Sequence, residues 1–388
     1  FSVADTVSAK DGGGFGGNVS VTGNLTFTGD LIATTAGTSN FTAGVNAGNS
    51  IVSGGASNVT VGDESGTAIT TGTHNVAVGY ESLKTEDAHG HNTAVGSQAL
   101  KTLNAGADGK NTAVGAFAGK FMTEGVQNTL IGGLAGDALT HADFNTVVGY
   151  QALSGDTLGH KSTAIGYSAL NAQNFTSSTD SHNTAVGFQA GVALSTGVQN
   201  TIIGSTSGDA LTDADFNTLV GFGAAATDTK GNKTTALGYQ ALGTQNFTSS
   251  TDSHNTGVGY NVGVLLTTGV QNTLIGSQAG DSLTDGDQNT YIGYNAGGSD
   301  DLGNKSVGVG SGALASLNYA GATDGLNVAV GLNALGQQTT AVQNTASGNS
   351  AGGAVTEGSY NICIGNSAAN HDNPLTTGSG NIIIGAYA

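Results

Sequence analysis

The sequence is poor in charged residues, and most of the few that it has are acidic. Only 9% of its 388 residues are charged, and nine Lys and Arg stand against 27 Asp and Glu, for a formal net charge of −18. A chain of this charge is poorly suited to pair with phosphates or to release their counterions. The composition therefore argues against nucleic acid and anionic membranes as partners.

Proline, cysteine and long hydrophobic runs are also scarce. The single proline, Pro374, and the lack of a three-residue glycine period exclude collagen, although glycine contributes 66 residues. The single cysteine, Cys363, cannot form an intrachain disulfide, and we expect it to be a small buried hydrophobe. No apolar run approaches the roughly 18 residues that a membrane span needs, so this segment is not expected to insert into a membrane. The chain starts at Phe1 without a signal-peptide pattern, which favours a processed or partial chain whose anchoring segments are absent.

What the sequence has in abundance is one short motif, Asn-Thr-x-Val-Gly, at a nearly fixed spacing. Residues 92–96 and 200–204 are clear copies, and most copies start seventeen residues apart. With looser matches the motif occurs nineteen times, starting at residues 58, 75, 92, 111, 128, 145, 162, 183, 200, 217, 234, 255, 272, 289, 306, 327, 344, 361 and 381. A fixed short period is typical of one supersecondary unit stacked many times. The chain is therefore predicted to form a rod.

Each motif is predicted to form one short strand of an all-β fold, a parallel β-solenoid or β-roll of about nineteen short coils. Its second to fourth residues are mostly β-branched or aliphatic and a glycine follows, which favours a strand over a helix. Both faces of the strand are mostly apolar, as in strands that are buried on both sides. The pattern that follows, as in Gly149-Tyr150-Gln151-Ala152-Leu153, predicts a turn and a second short strand with Ala and Leu in the core. The polar remainder of each coil is predicted to form surface loops.

The spacing also divides the chain into larger units. Residues 1–57 lack the main motif and are predicted to form a strand-rich cap or stalk, whereas residues 58–388 form the β-roll repeat domain. Within residues 111–326 the steps of 17, 17, 17 and 21 residues recur with a superperiod of 72 residues. The four-residue insertions predict a surface bump about every four coils, or about 19 Å. The motif asparagines, stacked in register, predict a ladder of amide hydrogen bonds.

The motif resembles the head repeat of trimeric autotransporter adhesins, a left-handed β-roll that carries Ser-Val-Ala-Ile-Gly. Thr93-Ala94-Val95-Gly96 and Val76-Ala77-Val78-Gly79 overlay its last four positions, and the resemblance covers about residues 58–388. It implies that the small third residue faces a partner in a trimer, while the β-branched pair fills the core of each protomer. The coils are longer than the shortest form of that family, and the C-terminal membrane anchor of that family has no counterpart among these 388 residues. Thr22-Gly23-Asn24-Leu25-Thr26 is also similar to strand repeats in the trimeric shafts of phage tail fibres.

Several polar groups are weak candidates for metal sites. His89-Gly90-His91 resembles the His-x-His iron sites of some phage fibres, but occurs once. Asp213, Asp215, Asp285 and Asp287 offer oxygen ligands for calcium, but lack the ligand count of known loop sites. Solvated surface groups are the ordinary interpretation of both sets, so no metal or cofactor is expected. No nucleophile–base or acid pair indicates an enzyme.

The sequence therefore predicts a non-enzymatic, extracellular fibre or adhesin shaft on a virion or cell surface, most similar to a phage tail fibre. Its expected role is attachment to a host or surface, with a surface glycan or a protein as the receptor. An apolar third position would leave a lone solenoid with a long exposed stripe, which predicts a homotrimer. The alternatives are a bacterial trimeric adhesin whose loops, residues 173–182 and 245–254, bind surface glycans, and an ice-binding solenoid. Ice binding would use a thirteen-copy column of motif threonines, from Thr93 to Thr345. This column shares a strand face with Val95 and its equivalents, which predicts that it points inward and disfavours that function.

Overall fold

The computed structural model describes residues 37–370 and 375–388, which form an all-β parallel solenoid of about twenty turns. One parallel sheet is built from twenty strands of three residues each: Phe41–Ala43, Val59–Val61, Val76–Val78, Thr93–Val95, Thr112–Val114, Thr129–Ile131, Thr146–Val148, Thr163–Ile165, Thr184–Val186, Thr201–Ile203, Thr218–Val220, Thr235–Leu237, Thr256–Val258, Thr273–Ile275, Thr290–Ile292, Val307–Val309, Val328–Val330, Thr345–Ser347, Ile362–Ile364 and Ile382–Ile384. In these ranges no helix is long and apolar enough to cross a bilayer.

The predicted strands are confirmed, since each of the nineteen motif copies contributes its second to fourth residues to the sheet. The stack also contains one earlier coil, whose strand Phe41–Ala43 pairs with Val59–Val61. The segment similar to tail-fibre repeats, residues 22–26, lies outside the described residues.

Neighbouring strands pair without any shift in register. Thr184 lies beside Thr201, and Thr201 beside Thr218, so that equivalent residues form columns along the stack. At about 4.8 Å between parallel strands, twenty strands extend over about 90 Å. A column of identical side chains at this spacing tolerates few charges, which accounts for the low charge content of the chain.

The predicted second strand is wrong. Residues 149–153 form a turn, in which Gln151 and Leu153 adopt left-handed backbone conformations with φ of 54° and 49°. Residues in that region cannot continue a β ladder. The core assignment is nevertheless confirmed, because Ala152 and Leu153 are fully buried. Cys363 is also buried, as expected.

The inward and outward faces of the strands are the reverse of those that the resemblance implied. The third motif residue, such as Ala94, Leu130 or Ile202, is completely buried in the chain's own core. The second and fourth residues, such as Thr93 and Val95, point outward and are half-buried. Wide side chains such as Leu130 fit inward because the facing turn residues are small, mainly Ala and Gly.

The predicted asparagine ladder is confirmed, and it lies inside the solenoid. Where two successive coils both carry the motif asparagine, the backbone N–H of the later one donates to the side-chain oxygen of the earlier one, with N–O distances such as 2.9 Å from Asn200 to Asn183 and 3.0 Å from Asn217 to Asn200. The side-chain amide donates in turn to a loop carbonyl fourteen residues onward, for example from Asn200 to Ala214 at 2.8 Å. Each buried asparagine thereby satisfies backbone groups that no strand partner reaches.

The ladder is interrupted where the superperiod places Ser162, Thr234 and Ser306. Here the longer coils add three small parallel pairs of strands: Gly159–His160 with Thr179–Asp180, Gly231–Asn232 with Thr251–Asp252, and Gly303–Asn304 with Thr323–Asp324. These pairs lie where the surface bumps were predicted, and each carries one exposed Lys–Asp ion pair, such as Lys161–Asp180.

Candidate functional site

The outward face of the long sheet runs the length of the described stack. The fourth motif residues form a column of half-buried or exposed aliphatic side chains, with exposed fractions of 39% for Ile131, 37% for Ile203 and 36% for Ile275. Continuous apolar surface of this length is unusual on a monomeric protein and is typical of an interaction surface.

A column of threonines runs beside the aliphatic column on the same face. From Thr93 to Thr290 it occupies twelve consecutive coils, and the strands carry these threonines on their outward side. The prediction that these threonines point inward is therefore wrong. In the part of the chain that the structure describes, none of the twelve hydroxyls hydrogen-bonds to another protein group. Threonines elsewhere in the coils, such as Thr102, donate to backbone carbonyls.

The two candidate histidines lie in different environments. His89 lies beside Glu86 and Asp87, and one ligand atom of each comes within 4.8 Å of the others. Its Nδ1 is 3.6 Å from Glu86 Oε1 and has no hydrogen-bond partner within the described chain. His91 instead stacks on His74, with ring centroids 5.0 Å apart, and lies 3.7 Å from Asp108. Within one chain, His89 and His91 therefore have different neighbours.

Glu86 has a structural explanation that needs no metal. Burial raises the pKa of its carboxyl group, and the carboxylate accepts backbone N–H groups of His89 and Ala105. Asp156 and Asp228, at the equivalent position of later coils, accept the same kind of bonds from Gly159 and Gly231, the glycines that stand in the place of His89. The repeated function of this position is to cap backbone donors.

The four candidate aspartates are likewise occupied by hydrogen bonds between coils. Asp215 accepts the backbone N–H of Val198 at 2.7 Å, and Asp287 accepts that of Val270 at 2.8 Å. Asp285 accepts two threonine hydroxyls, which lower its pKa. Asp213 pairs with Lys230 at 3.6 Å. These contacts bind adjacent coils together and leave the four carboxylates in different surroundings.

Sequence reasoning missed a column of buried carboxylates, namely Glu86, Asp156, Asp228 and Asp300. Their common offset of eleven residues from the motif asparagine was a detectable signal. Asp156 is bound by Gln173, whose amide nitrogen lies 2.6 Å from Oδ2 and 2.9 Å from the Ser162 hydroxyl. Gln173 in turn accepts the amide of Asn183 at 2.9 Å, so the carboxylate and the glutamine bridge the interruption in the asparagine ladder.

The two loops proposed for glycan binding have the same construction. In each, a phenylalanine, Phe175 or Phe247, is 5% exposed and anchors the loop to the core. The tips, residues 176–178 and 248–250, expose three hydroxyl side chains each. No aromatic ring is exposed at these tips, so they offer hydrogen bonds but no stacking surface.

Comparisons with known proteins find no relative with which these features can be compared. No family model matches the chain, and no curated protein or solved structure matches it either.

Proposed function

We propose that this chain forms the shaft of a non-enzymatic, extracellular fibre. The fibre consists of three copies of the chain, each a left-handed solenoid, that associate through the outward face of the long sheet. The observation that carries the proposal is the exposed aliphatic column, since it runs along a sheet built almost entirely of repeated, interchangeable coils. A rod extended by duplication is suited to holding a binding element away from a surface. A phage tail fibre is the setting that the sequence pattern favours, and a bacterial trimeric adhesin is the alternative.

The size of the face supports association between copies. Two side-chain columns, each about 7 Å wide along the strand, and a stack about 90 Å long give on the order of 1,000 Å². A trimer divides this face between two neighbours, so each pair of copies buries about 1,000 Å² in total, which is about the lower bound for a specific interface. Threonine and aliphatic side chains at a constant spacing also form a flat surface that a second copy in the same register can match.

Light scattering on the purified chain tests this assembly, with the mass of three chains as the expected result. A triple variant, Ile131→Lys, Ile203→Lys and Ile275→Lys, places charges in the aliphatic column and is expected to give monomers. The matched control adds the same charge at exposed Gln127, Gln199 and Gln271, a position that carries a lysine in other coils, such as Lys110 and Lys161, and should stay trimeric. A monomeric wild-type chain would contradict the proposal.

The outward threonine column supports a second candidate, binding to ice. Twelve hydroxyls without protein partners, in register on a rigid sheet, could order water in a lattice. The same face cannot bind ice and be buried in a trimer. Measurement of thermal hysteresis on the wild-type chain separates the two functions, because a monomer with hysteresis favours ice and a trimer without it favours the fibre.

A further inference from the structure

A second column of side chains, directly after the motif glycine, is rich in aromatic rings, and serines interrupt the runs of rings. Its aromatic members include two triplets in consecutive coils, Tyr150, Tyr167 and Phe188, and then Phe222, Tyr239 and Tyr260. Within the triplets the ring centroids are 5.2 to 5.9 Å apart and the ring planes are within 18° of parallel. The rings therefore stack along the rod and cover each other's faces.

Each triplet ends at a gap of one coil that a serine occupies. Ser205 lies between Phe188 and Phe222, as the backbone bonds from Thr206 to Phe188 and from Gly223 to Ser205 show. Seventy-two residues later, Ser277 lies in the same way between Tyr260 and Tyr294.

The rings that border these gaps have one uncovered face. Exposed fractions are 46% for Tyr167 and 43% for Tyr239 in the middle of the triplets, but 50% for Phe188 and 53% for Tyr260 at the gaps. Two coil spacings separate the bordering rings by about 10 Å. A flat ring inserted midway would lie about 5 Å from both, which is within the range in which rings stack.

The floor of each gap is polar. The hydroxyls of Ser205 and Ser277 have no hydrogen-bond partner in the described chain, and both residues are half-buried. A gap thus has two apolar walls and one hydrogen-bonding group at its base. This combination is typical of sites that bind a ring with an apolar body and a polar edge.

We propose that the two gaps, Phe188–Ser205–Phe222 and Tyr260–Ser277–Tyr294, are binding sites for sugar rings of a neutral glycan. The proposal rests on the fibre function, for which it names a receptor class. A pyranose ring has the apolar faces and the hydroxylated edge that the gap accepts. The glycan is neutral because a chain with a net charge of −18 repels acidic polysaccharides.

An aromatic ring from another copy is the competing occupant, and symmetry disfavours it. In a trimer whose axis runs along the rod, equivalent coils lie at the same height. A gap in one copy then lies at the same height as the equivalent gaps of the other two copies, so no ring of theirs is placed to enter it. The gaps therefore stay open in the assembled fibre.

The sharpest test fills both gaps with a residue that this column already uses. The double variant Ser205→Tyr and Ser277→Tyr makes the ring stack continuous, and Ser97→Tyr is the matched control, since Ser97 is followed one coil later by Ala116 and borders only one ring, Tyr80. The wild-type chain and these two variants are applied to an array of neutral and sialylated oligosaccharides, and the mass of each protein in solution is measured by light scattering. A second double variant, Phe188→Ala and Tyr260→Ala, removes one wall of each gap.

We expect the wild-type chain and Ser97→Tyr to bind neutral oligosaccharides, and both double variants to bind them at least tenfold more weakly. The proposal is overturned if the wild-type chain binds no neutral oligosaccharide, or if filling the gaps leaves binding unchanged. Loss of the trimer in the filled variant would also overturn it, because the gap would then hold a partner's ring. A wild-type monomer that binds through the gaps would refute the trimeric fibre and leave the sugar sites standing.

Discussion

At the scale of the residue, Asp300 differs from Asp156 and Asp228, the two other aspartates of the buried carboxylate column. Asp156 accepts hydrogen bonds from Gly159, Phe175 and Gln173, whereas Asp300 accepts bonds only from Gly303 and the Tyr291 hydroxyl within the described chain. The residue equivalent to Gln173 in this coil is Leu317, which has no donor. Burial raises the pKa of Asp300 to about 6, and the bonds from Tyr291 and Gly303 offset this only in part.

This carboxylate should make the stability of the rod fall as the pH rises. The unfolded chain releases the Asp300 proton near its ordinary pKa, and the folded chain keeps it until about pH 6. Between about pH 4 and pH 7 the free energy of unfolding of the wild-type chain should therefore fall by up to about 3 kcal/mol more than that of the Asp300→Asn variant. Urea unfolding of both proteins at pH 4.5 and 7.5 measures the difference. Asp301→Asn, at the adjacent and less buried position, is the control, and an equal pH response in Asp300→Asn would refute the assignment.

The asparagine ladder predicts a second effect at this scale. Asn200→Ala removes the acceptor of the Asn217 N–H and the donor to the Ala214 carbonyl, both inside the solenoid. Each unsatisfied buried group costs about 1–3 kcal/mol, so the variant should be destabilised by about 2–6 kcal/mol. The control is Gln199→Asn at the exposed neighbouring position, which should lower the free energy of unfolding by less than about 1 kcal/mol. Equal midpoints in urea for both variants would contradict an energetic role for the ladder.

At the scale of the element, the glycine that ends each strand fixes how closely the coils approach. Gly204 has a φ of 132°, and a Cβ there would lie 2.3 Å from the carbonyl oxygen of Gly221. The motif glycines of most other coils lie equally close to the glycine one coil onward, so the glycines form a continuous column of backbone-to-backbone contacts.

Gly204→Ala should therefore destabilise the rod by about 3 kcal/mol or more, through backbone strain and the contact with the next coil. Gly106→Ala is the matched control, because a Cβ at Gly106 meets nothing within 4 Å and its φ is not in the left-handed region. Thermal unfolding followed by circular dichroism compares the two. A Gly204→Ala variant as stable as Gly106→Ala would show that the column tolerates a side chain.

Some features of the coil could be predicted from the sequence alone, and others could not. The strand at residues 146–148 and the burial of Ala152 and Leu153 were predictable, because period, β-branching and glycine all agree there. The direction of the strand faces was not, since both faces are apolar and only the path of the following turn decides which of them is enclosed. That path depends on left-handed residues such as Gln151, which no local preference indicates. The sugar sites escaped notice for a related reason, since a gap between rings exists only once the coils are in register.

At the scale of the whole molecule, the strand-to-strand contacts within residues 37–370 and 375–388 join only adjacent coils. The stability of such a stack is a sum over coils and their interfaces, without a central core on which everything depends. Removing one complete superperiod should therefore shorten the rod and leave the rest folded. The sequence offers an exact junction, since residues 173–183 and 245–255 have the same residue types.

Deletion of residues 183–254 joins His182 to Asn255, which reproduces the native His254–Asn255 neighbourhood. The deleted block removes four strands of the long sheet, so small-angle scattering should report a rod shorter by about 19 Å with unchanged cross-section. Its unfolding midpoint should stay close to that of the full chain, because every remaining interface between coils has its equivalent in the parent. A deletion of residues 183–246 is the control: it leaves eight extra residues between His182 and Asn255 and should be less stable than the in-frame deletion, because the lengthened coil loses its native spacing to the next strand. If the in-frame deletion failed to fold, the stack would depend on contacts longer than those between neighbouring coils, and a rod of interchangeable units would be the wrong description of this molecule.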